Sequence, residues 1–205
     1  LKYAEAWALV WLIRNHPDLK QPFARLASVR SSKQYQDVEL AISKDLWDQL
    51  AIQWPLYLFS LTEGFDPLQS CVSLDEQKKA TSLPVMLELP AAAEWTSAGS
   101  GFTEGQQLEV TSTGRYVLHD QPRPWISEPS GITIDYWRGL PLGRVFALAI
   151  SKDGQHCRRI SIGDSKSFEM PFDGSVWLQI NDSAASRREN SGDARVTIRL
   201  SGSSE

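Results

Sequence analysis

The sequence predicts two domains, an all-α helical bundle followed by an all-β sandwich of the jelly-roll kind. Three observations carry that prediction. Apolar residues recur at helical spacing from Leu1 to about Ser60, and no glycine occurs before Gly64. After Leu83 the pattern changes to short β runs separated by Gly, Pro, Asp and Ser clusters. Between the two lies a polar stretch without either period. The boundaries read as 1–66 for the helical part, 67–82 for a linker and 83–205 for the sandwich.

The first helix is expected over Leu1 to Asn15, with Tyr3, Trp7, Val10, Trp11 and alanines apolar nearly all round, which predicts burial on most sides. It should stop near His16-Pro17, because the residue before proline avoids the helical region. A second helix is expected from Asp18 to Arg30, with Leu19, Phe23, Leu26 and Ala27 on one face and Ser31-Ser32 breaking it. A third covers about Tyr35 to Ile42. A fourth starts at Ser43 to Asp45, residues suited to N-capping, and continues through Leu46, Trp47, Leu50, Ile52 and Trp54 until Pro55 kinks or ends it. Residues 63–82 read as loop and a short polar helix around Asp75 to Lys79.

In the second part, strands are expected at Val85–Leu89, Gln107–Val110, Ile132–Tyr136, Val145–Ile150, Ser167–Met170, Val176–Ile180 and Arg195–Leu200. Alternation is strongest in Val176, Leu178, Ile180 and in Val196, Ile198, Leu200. Many short strands without intervening helices predict a sandwich or barrel.

Composition narrows the function classes. The chain has 205 residues and a net charge of −4, so electrostatics give no reason to expect nucleic acid or anionic lipid as partner. No apolar run reaches the roughly 18 residues of a membrane-spanning helix; the longest are Ala6 to Ile13 and Pro55 to Leu61. The start, Leu1-Lys2-Tyr3-Ala4, predicts a fragment or processed product. Cys71 and Cys157 fall in different parts and are expected as free thiols. There is no HExxH, GxSxG, P-loop or GxGxxG followed by a helix, and the three histidines, His16, His119 and His156, have no ligand-spaced neighbours. This chain is therefore expected to be non-catalytic. His16, before Pro17, is expected as a cap or surface residue. Most of the eight tryptophans are expected in cores, with Trp125 and Trp137 as candidates for exposure.

The chemistry-bearing stretch runs from Leu178 to Gly192. A strand ends in Asn181-Asp182, the chain makes an excursion, and Glu189-Asn190 returns before the last strand. Such a loop gathers the oxygens of Asp182, Glu189 and Asn190 with backbone carbonyls, a set suited to Ca²⁺, which takes about 6–8 hard ligands. The same residues also suit a plain turn in which Asp182 and Asn190 bond their own backbone and Arg187 or Arg188 neutralises the carboxylates. Both readings stand.

Residues 83–205 resemble the galactose-binding-like sandwich of the calcium-dependent galactophilic bacterial lectins. The matching features are Glu104-Gly105-Gln106 before Leu108-Glu109-Val110 and Gly114; Trp125 with Gly131; Pro141-Leu142-Gly143-Arg144; Ile162-Gly163; and Gly174 with Val176 to Asp182 through Asn190-Ser191-Gly192 to Val196-Thr197-Ile198. The resemblance implies a carbohydrate ligand and a bound calcium, with Asp182, Glu189 and Asn190 as side-chain ligands and Ser186 giving a carbonyl. A second carbonyl is implied near His119 or Asp120, before Trp125, so that His119, Asp120, Trp125, Asp182 and Asn190 would face the ligand. Glu189 stands where the lectins have Asn, and their galactose-contacting His and Gln have no counterpart, because Ile132 to Tyr136 reads as a strand. An extracytoplasmic location is implied by the same resemblance. Tyr3 to Val10 with Leu46 to Leu58 is similar to the helical tail of gluzincin-type metallopeptidases, which implies a parent peptidase whose zinc site lies upstream.

Overall fold

The computed structural model describes residues 3–24, 29–66, 71–77, 82–119 and 123–202. Two four-stranded antiparallel sheets face each other. Strands β1 (Val85–Pro90), β12 (Asp193–Leu200), β3 (Gln107–Thr113) and β10 (Ser165–Glu169) make one, in that order. Strands β2 (Thr96–Phe102), β11 (Gly174–Ile180), β8 (Val145–Ser151) and β9 (Cys157–Ser161) make the other. Two small hairpin sheets complete the described strands: β4 (Tyr116–Val117) with β5 (Ile126–Ser127), and β6 (Ile132–Trp137) with β7 (Leu140–Leu142).

The sandwich core follows from the period of two. Leu108, Val110, Val196 and Ile198 of one sheet meet Val145, Ala147, Ala149, Val176, Leu178 and Ile180 of the other. The alternate residues of the second sheet point away from that core, yet β8 and β11 are buried along their whole length. Their outer face, with Phe146, Leu148, Ile150 and Trp177, packs with Leu56, Val72 and Trp95 and with the partly buried Ile52 and Phe59. A helix therefore covers the sheet, as the unbroken apolar run Val145-Phe146-Ala147-Leu148-Ala149-Ile150 requires.

That helix is α4 (Lys44–Ser60), capped by the Ser43 hydroxyl, which accepts from the Leu46 amide at 3.3 Å. Pro55 does not end it; the helix continues for another turn. Proline removes the amide that would bond the Ala51 carbonyl. That carbonyl lies against Gly154, in the turn between β8 and β9, where a side chain would strike it. The proline is tolerated at the point where the hairpin docks.

The opposite face of α4 supports α1 (Tyr3–Asn15) and α2 (Lys20–Phe23), while α3 (Ser32–Ala41) leads into Ile42, which joins the same cluster. Ala8, Leu12, Leu19, Phe23, Ile42, Leu50 and Tyr57 form their shared cluster. The expected burial of α1 on most sides is not found. Ala8 and Leu12 are buried, while Tyr3, Trp7 and Val10 are 89%, 58% and 64% exposed. One stripe suffices because, among the described residues, α1 lies on the outside of the cluster with one neighbouring layer. The second helix is shorter than expected, ending at Phe23, and Leu26 and Ala27 lie outside the described residues. Ser31 starts the third helix, its hydroxyl accepting from the Gln34 amide at 3.3 Å.

His16 is fully buried, not a surface cap. Its Nδ1 accepts from the Asp18 amide at 3.1 Å, which leaves Nε2 to donate to the Val72 carbonyl at 3.2 Å. Gln53 donates to the same carbonyl at 2.7 Å. The segment 71–77, with α5 (Leu74–Gln77), is thereby pinned to the helices, with Leu74 and Val72 both buried. Cys71 and Cys157 are free.

Candidate functional site

The site grows from the end of β11. Asn181, its first residue beyond the strand, is buried and donates from Nδ2 to the carbonyls of Trp137, Leu140 and Pro141 at 3.0, 3.0 and 2.9 Å. One amide thus fixes the β6–β7 hairpin beside the loop that begins at Asp182. The β4–β5 hairpin closes the other side, the Trp125 amide donating to the His119 carbonyl at 2.7 Å. Between these walls is a cleft of about 370 Å³ lined by Leu118, His119, Trp125, Asp135, Tyr136, Trp137, Leu142, Asp182, Ser183 and Ser186.

Asp182 forms its floor at 2% exposure. Its Oδ1 accepts from the Ser183 amide at 2.6 Å and its Oδ2 from Asn190 Nδ2 at 3.0 Å. Burial raises its carboxyl above the ordinary aspartate value of 3.8, against the opposing effects of those hydrogen bonds and of Arg187 and His119. Desolvation outweighs every partner it has. Asn190 is also buried; its Nδ2 lies 3.3 Å from the Ala91 carbonyl, and its Oδ1 has no hydrogen-bond partner.

The other residues expected at the loop are placed differently. The Ser186 carbonyl accepts from the Glu189 amide at 2.9 Å inside a short 3-10 turn, and its hydroxyl is 2.9 Å from that of Ser183. Glu189 is exposed and its carboxylate lies 3.1 Å from His119 Nδ1, away from Asp182. The His119 ring stands edge-on to Trp125 with centroids 6.2 Å apart. Asp120 lies outside the described residues.

Positive charge enters the loop from behind. Arg187 is 4% exposed; its guanidinium donates to the Asp182 backbone carbonyl and to the carboxylate of Glu94, itself buried. Sequence reasoning named Arg187 as a candidate neutraliser but not this partner, which lies far away along the chain. Arg188 ties the loop to the helical region, donating to the Gly64 carbonyl at 2.9 Å and lying 3.6 Å from Asp66. Gly64 itself is so close to Ala185 that a Cβ there would lie 2.5 Å from the Ala185 Cβ. On the hairpin wall, the Arg138 guanidinium sits 4.6 Å from the Phe59 ring centre and donates to the Phe59 carbonyl.

The donor set can be compared with what calcium requires. Asp182 and Asn190 are together, and the unpartnered Asn190 Oδ1 is the kind of oxygen a cation would take. Glu189 is held by His119, and the carbonyls of Ser186 and His119 already accept hydrogen bonds. Among the described residues no group of three His, Cys, Asp or Glu could hold a metal ion. Asp182 and Asn190 carry three side-chain oxygens, so most of the six to eight ligands that calcium takes would have to come from carbonyls and water. As arranged, the described side chains do not by themselves complete a calcium shell.

Asp135, Tyr136 and Trp137 are cleft residues that the sequence did not assign to the site. Their signal is weak: Trp137 stands out as a candidate exposed aromatic, but the register shift between Ile132 and Tyr136, which turns this end of β6, leaves no mark in the alternation.

No family model matches the chain, and no curated protein matches it. Among solved structures, the N-terminal domain of EclA, titled a PllA-like lectin, is similar with a TM-score of 0.45 and 16% identity, over 56% of this chain and 94% of that one. At that level the likeness carries no argument, and the sandwich rests on the sheet order and core described above. Among the described residues no helix is long and apolar enough to cross a membrane.

Proposed function

We propose that this chain is a non-catalytic carbohydrate-binding module whose ligand occupies the cleft between Trp125 and the Asp135–Trp137 wall. The observation that carries this reading is the lining itself, in which three aromatic side chains surround carboxylates and hydroxyls. A pyranose has faces of C–H groups that pack on aromatic rings, and a rim of hydroxyls that donate to carboxylates and exchange hydrogen bonds with serine. Pockets of about 300–1,000 Å³ with apolar walls and a few fixed polar groups are the usual form of a small-ligand site. Trp125 and Trp137 supply the stacking faces, Asp135 and Asp182 accept from hydroxyls, and Ser183 and Ser186 complete the polar floor. The galactose-binding-like identity of the sandwich belongs to the same proposal.

Glycan-array binding of the chain, with and without chelator, is the test. Signal that is lost in Asp182→Ala and Trp125→Ala, both still folded by circular dichroism, is the expected result; silence on every glycan in both conditions overturns it. Calcium dependence is a separate arm. It requires Glu189 to leave His119 and join Asp182, and calorimetric titration with Ca²⁺ reads it directly.

A second reading is favoured by one observation, the buried Arg187–Glu94 pair beneath the loop. In that reading the loop is a metal-free structural turn closed by Arg187. A folded protein that takes up neither calcium nor any glycan supports it. The peptidase-tail reading of the helices is tested by upstream sequence, where an HExxH segment would be expected.

A further inference from the structure

The charges around the cleft are unbalanced in one direction. Of its described lining residues two are carboxylates, Asp135 and Asp182, and none is Lys or Arg. Asp182 is buried, and burial dominates its environment although two donors bond it. The Arg187 guanidinium does not neutralise that carboxylate by direct contact, since it bonds the Asp182 backbone carbonyl and the carboxylate of Glu94. Arg138, the other cation behind the wall, is directed to Phe59. Glu189 and His119 face each other at the side of the cleft and offer no net positive charge when the imidazole is neutral.

The aromatic lining has the same preference. The faces of Trp125, Tyr136 and Trp137 carry negative quadrupole potential, which attracts a cation and repels an anion. Aromatic faces beside a carboxylate form the arrangement that binds ammonium groups.

We infer that the cleft selects a positively charged ligand, an amine-bearing sugar such as a glucosamine residue with a free amino group, with the ammonium placed between the carboxylates of Asp135 and Asp182 and an aromatic face. This inference rests on the carbohydrate reading of the cleft and adds the ligand's charge to it. Sugars bearing carboxylate or sulfate groups are excluded by the same charges.

Paired probes that differ only in this group provide the test: glucosamine oligomers and N-acetylglucosamine oligomers of equal length, titrated calorimetrically into the full chain at moderate salt, with and without chelator. Glucosamine oligomers are expected to bind at least about tenfold more tightly, the equivalent of about 1.4 kcal/mol for one partly desolvated cation contact. Asp135→Asn, at an exposed position where folding is not at stake, is expected to reduce that preference severalfold, read as the ratio of the two oligomers' affinities so that any shared loss of hydroxyl contacts cancels. Equal affinity, a preference for the N-acetyl form, or amine binding that Asp135→Asn does not weaken overturns the inference. Binding abolished by chelator also overturns it, because a metal would then be meeting the charge of Asp182. If neutral glycans bind on the array and glucosamine oligomers do not, the charge inference fails alone; if the array is silent, the carbohydrate reading fails first.

Discussion

Strand β8 and helix α1 are similarly apolar in sequence but have opposite fates. Every residue of β8 is buried, whereas α1 buries Ala8 and Leu12 and leaves Tyr3, Trp7 and Val10 exposed. The difference lies in how many layers each touches. β8 has the sandwich core on one face and α4 on the other, while α1 has only the cluster around α4. Apolar content permits burial, but the number of packed neighbours determines it.

The largest test of that contrast uses two tryptophans. Trp177→Ala, emptying the fully buried space between β11 and α4, is expected to cost about 3–5 kcal/mol in urea unfolding. Trp7→Ala, at the exposed face of α1, should change stability by about 0.5 kcal/mol or less. Comparable losses from the two would refute the layer argument.

Arg187→Ala comes next. It leaves the Glu94 carboxylate buried without its cation, a loss expected to be about 3–5 kcal/mol. A double variant, Glu94→Gln with Arg187→Met, should recover much of it. Failure of that recovery would mean that the Arg187 bond to the Asp182 carbonyl, not the ion pair, holds the loop.

Gly154→Ala probes the seam between the regions. Its methyl group meets the Ala51 carbonyl exposed by Pro55, and the residue holds φ at +69°, so a loss of about 1–3 kcal/mol is expected. Arg188→Ala is milder. The Arg188–Asp66 pair is partly exposed and worth about 1 kcal/mol or less, but hydrogen exchange in residues 182–190 should quicken if the contact with Gly64 steadies the cleft.

Acid distinguishes the regions by sign. Burial lowers the His16 imidazole below its ordinary 6.5, so its contribution is full above that pH and is lost as pH falls toward the folded value. Burial raises Asp182 above 3.8, so its contribution is full below that pH and is lost as pH rises through the folded value. Acidification toward about pH 5 is therefore expected to weaken the helical region through His16, while the cost of Asp182 eases only as pH falls through its raised folded value. His16→Gln should flatten the fall in stability between about pH 7.5 and about pH 5, measured by urea unfolding of variant and parent.

Much of the sandwich was legible because its core strands announce themselves. Val176, Leu178, Ile180 and Val196, Ile198 alternate in sequence and face the core in the structure. Strand β2 was not legible: Thr96-Ser97-Ala98-Gly99-Ser100-Gly101-Phe102 has little β propensity, and its pairing with β11 is interrupted by register shifts. Strand β9 was hidden for another reason, since Cys157-Arg158-Arg159 at its start is exposed and polar. At the cleft, Asp182 was named in sequence from the oxygens of its loop, and His119 and Trp125 were named as facing a ligand; the structure brings these three to one cleft. Asp135, Tyr136 and Trp137 could not be read from sequence, because a hairpin held by the Asn181 amide brings them to the cleft.

The sequence by itself determined the two periods, helical before Gly64 and β after Leu83, because hydrophobic spacing records which face of each element is buried. It also determined the cap at Ser43 and the bond from the Ser183 amide to Asp182, whose chemistry is local. Only the tertiary structure decided that α4 covers the outer face of β8 and β11, that Arg187 is matched by Glu94, and that Glu189 faces His119 instead of Asp182. Those outcomes join residues far apart along the chain, and the packing of layers, which no local period encodes, sets which of them meet.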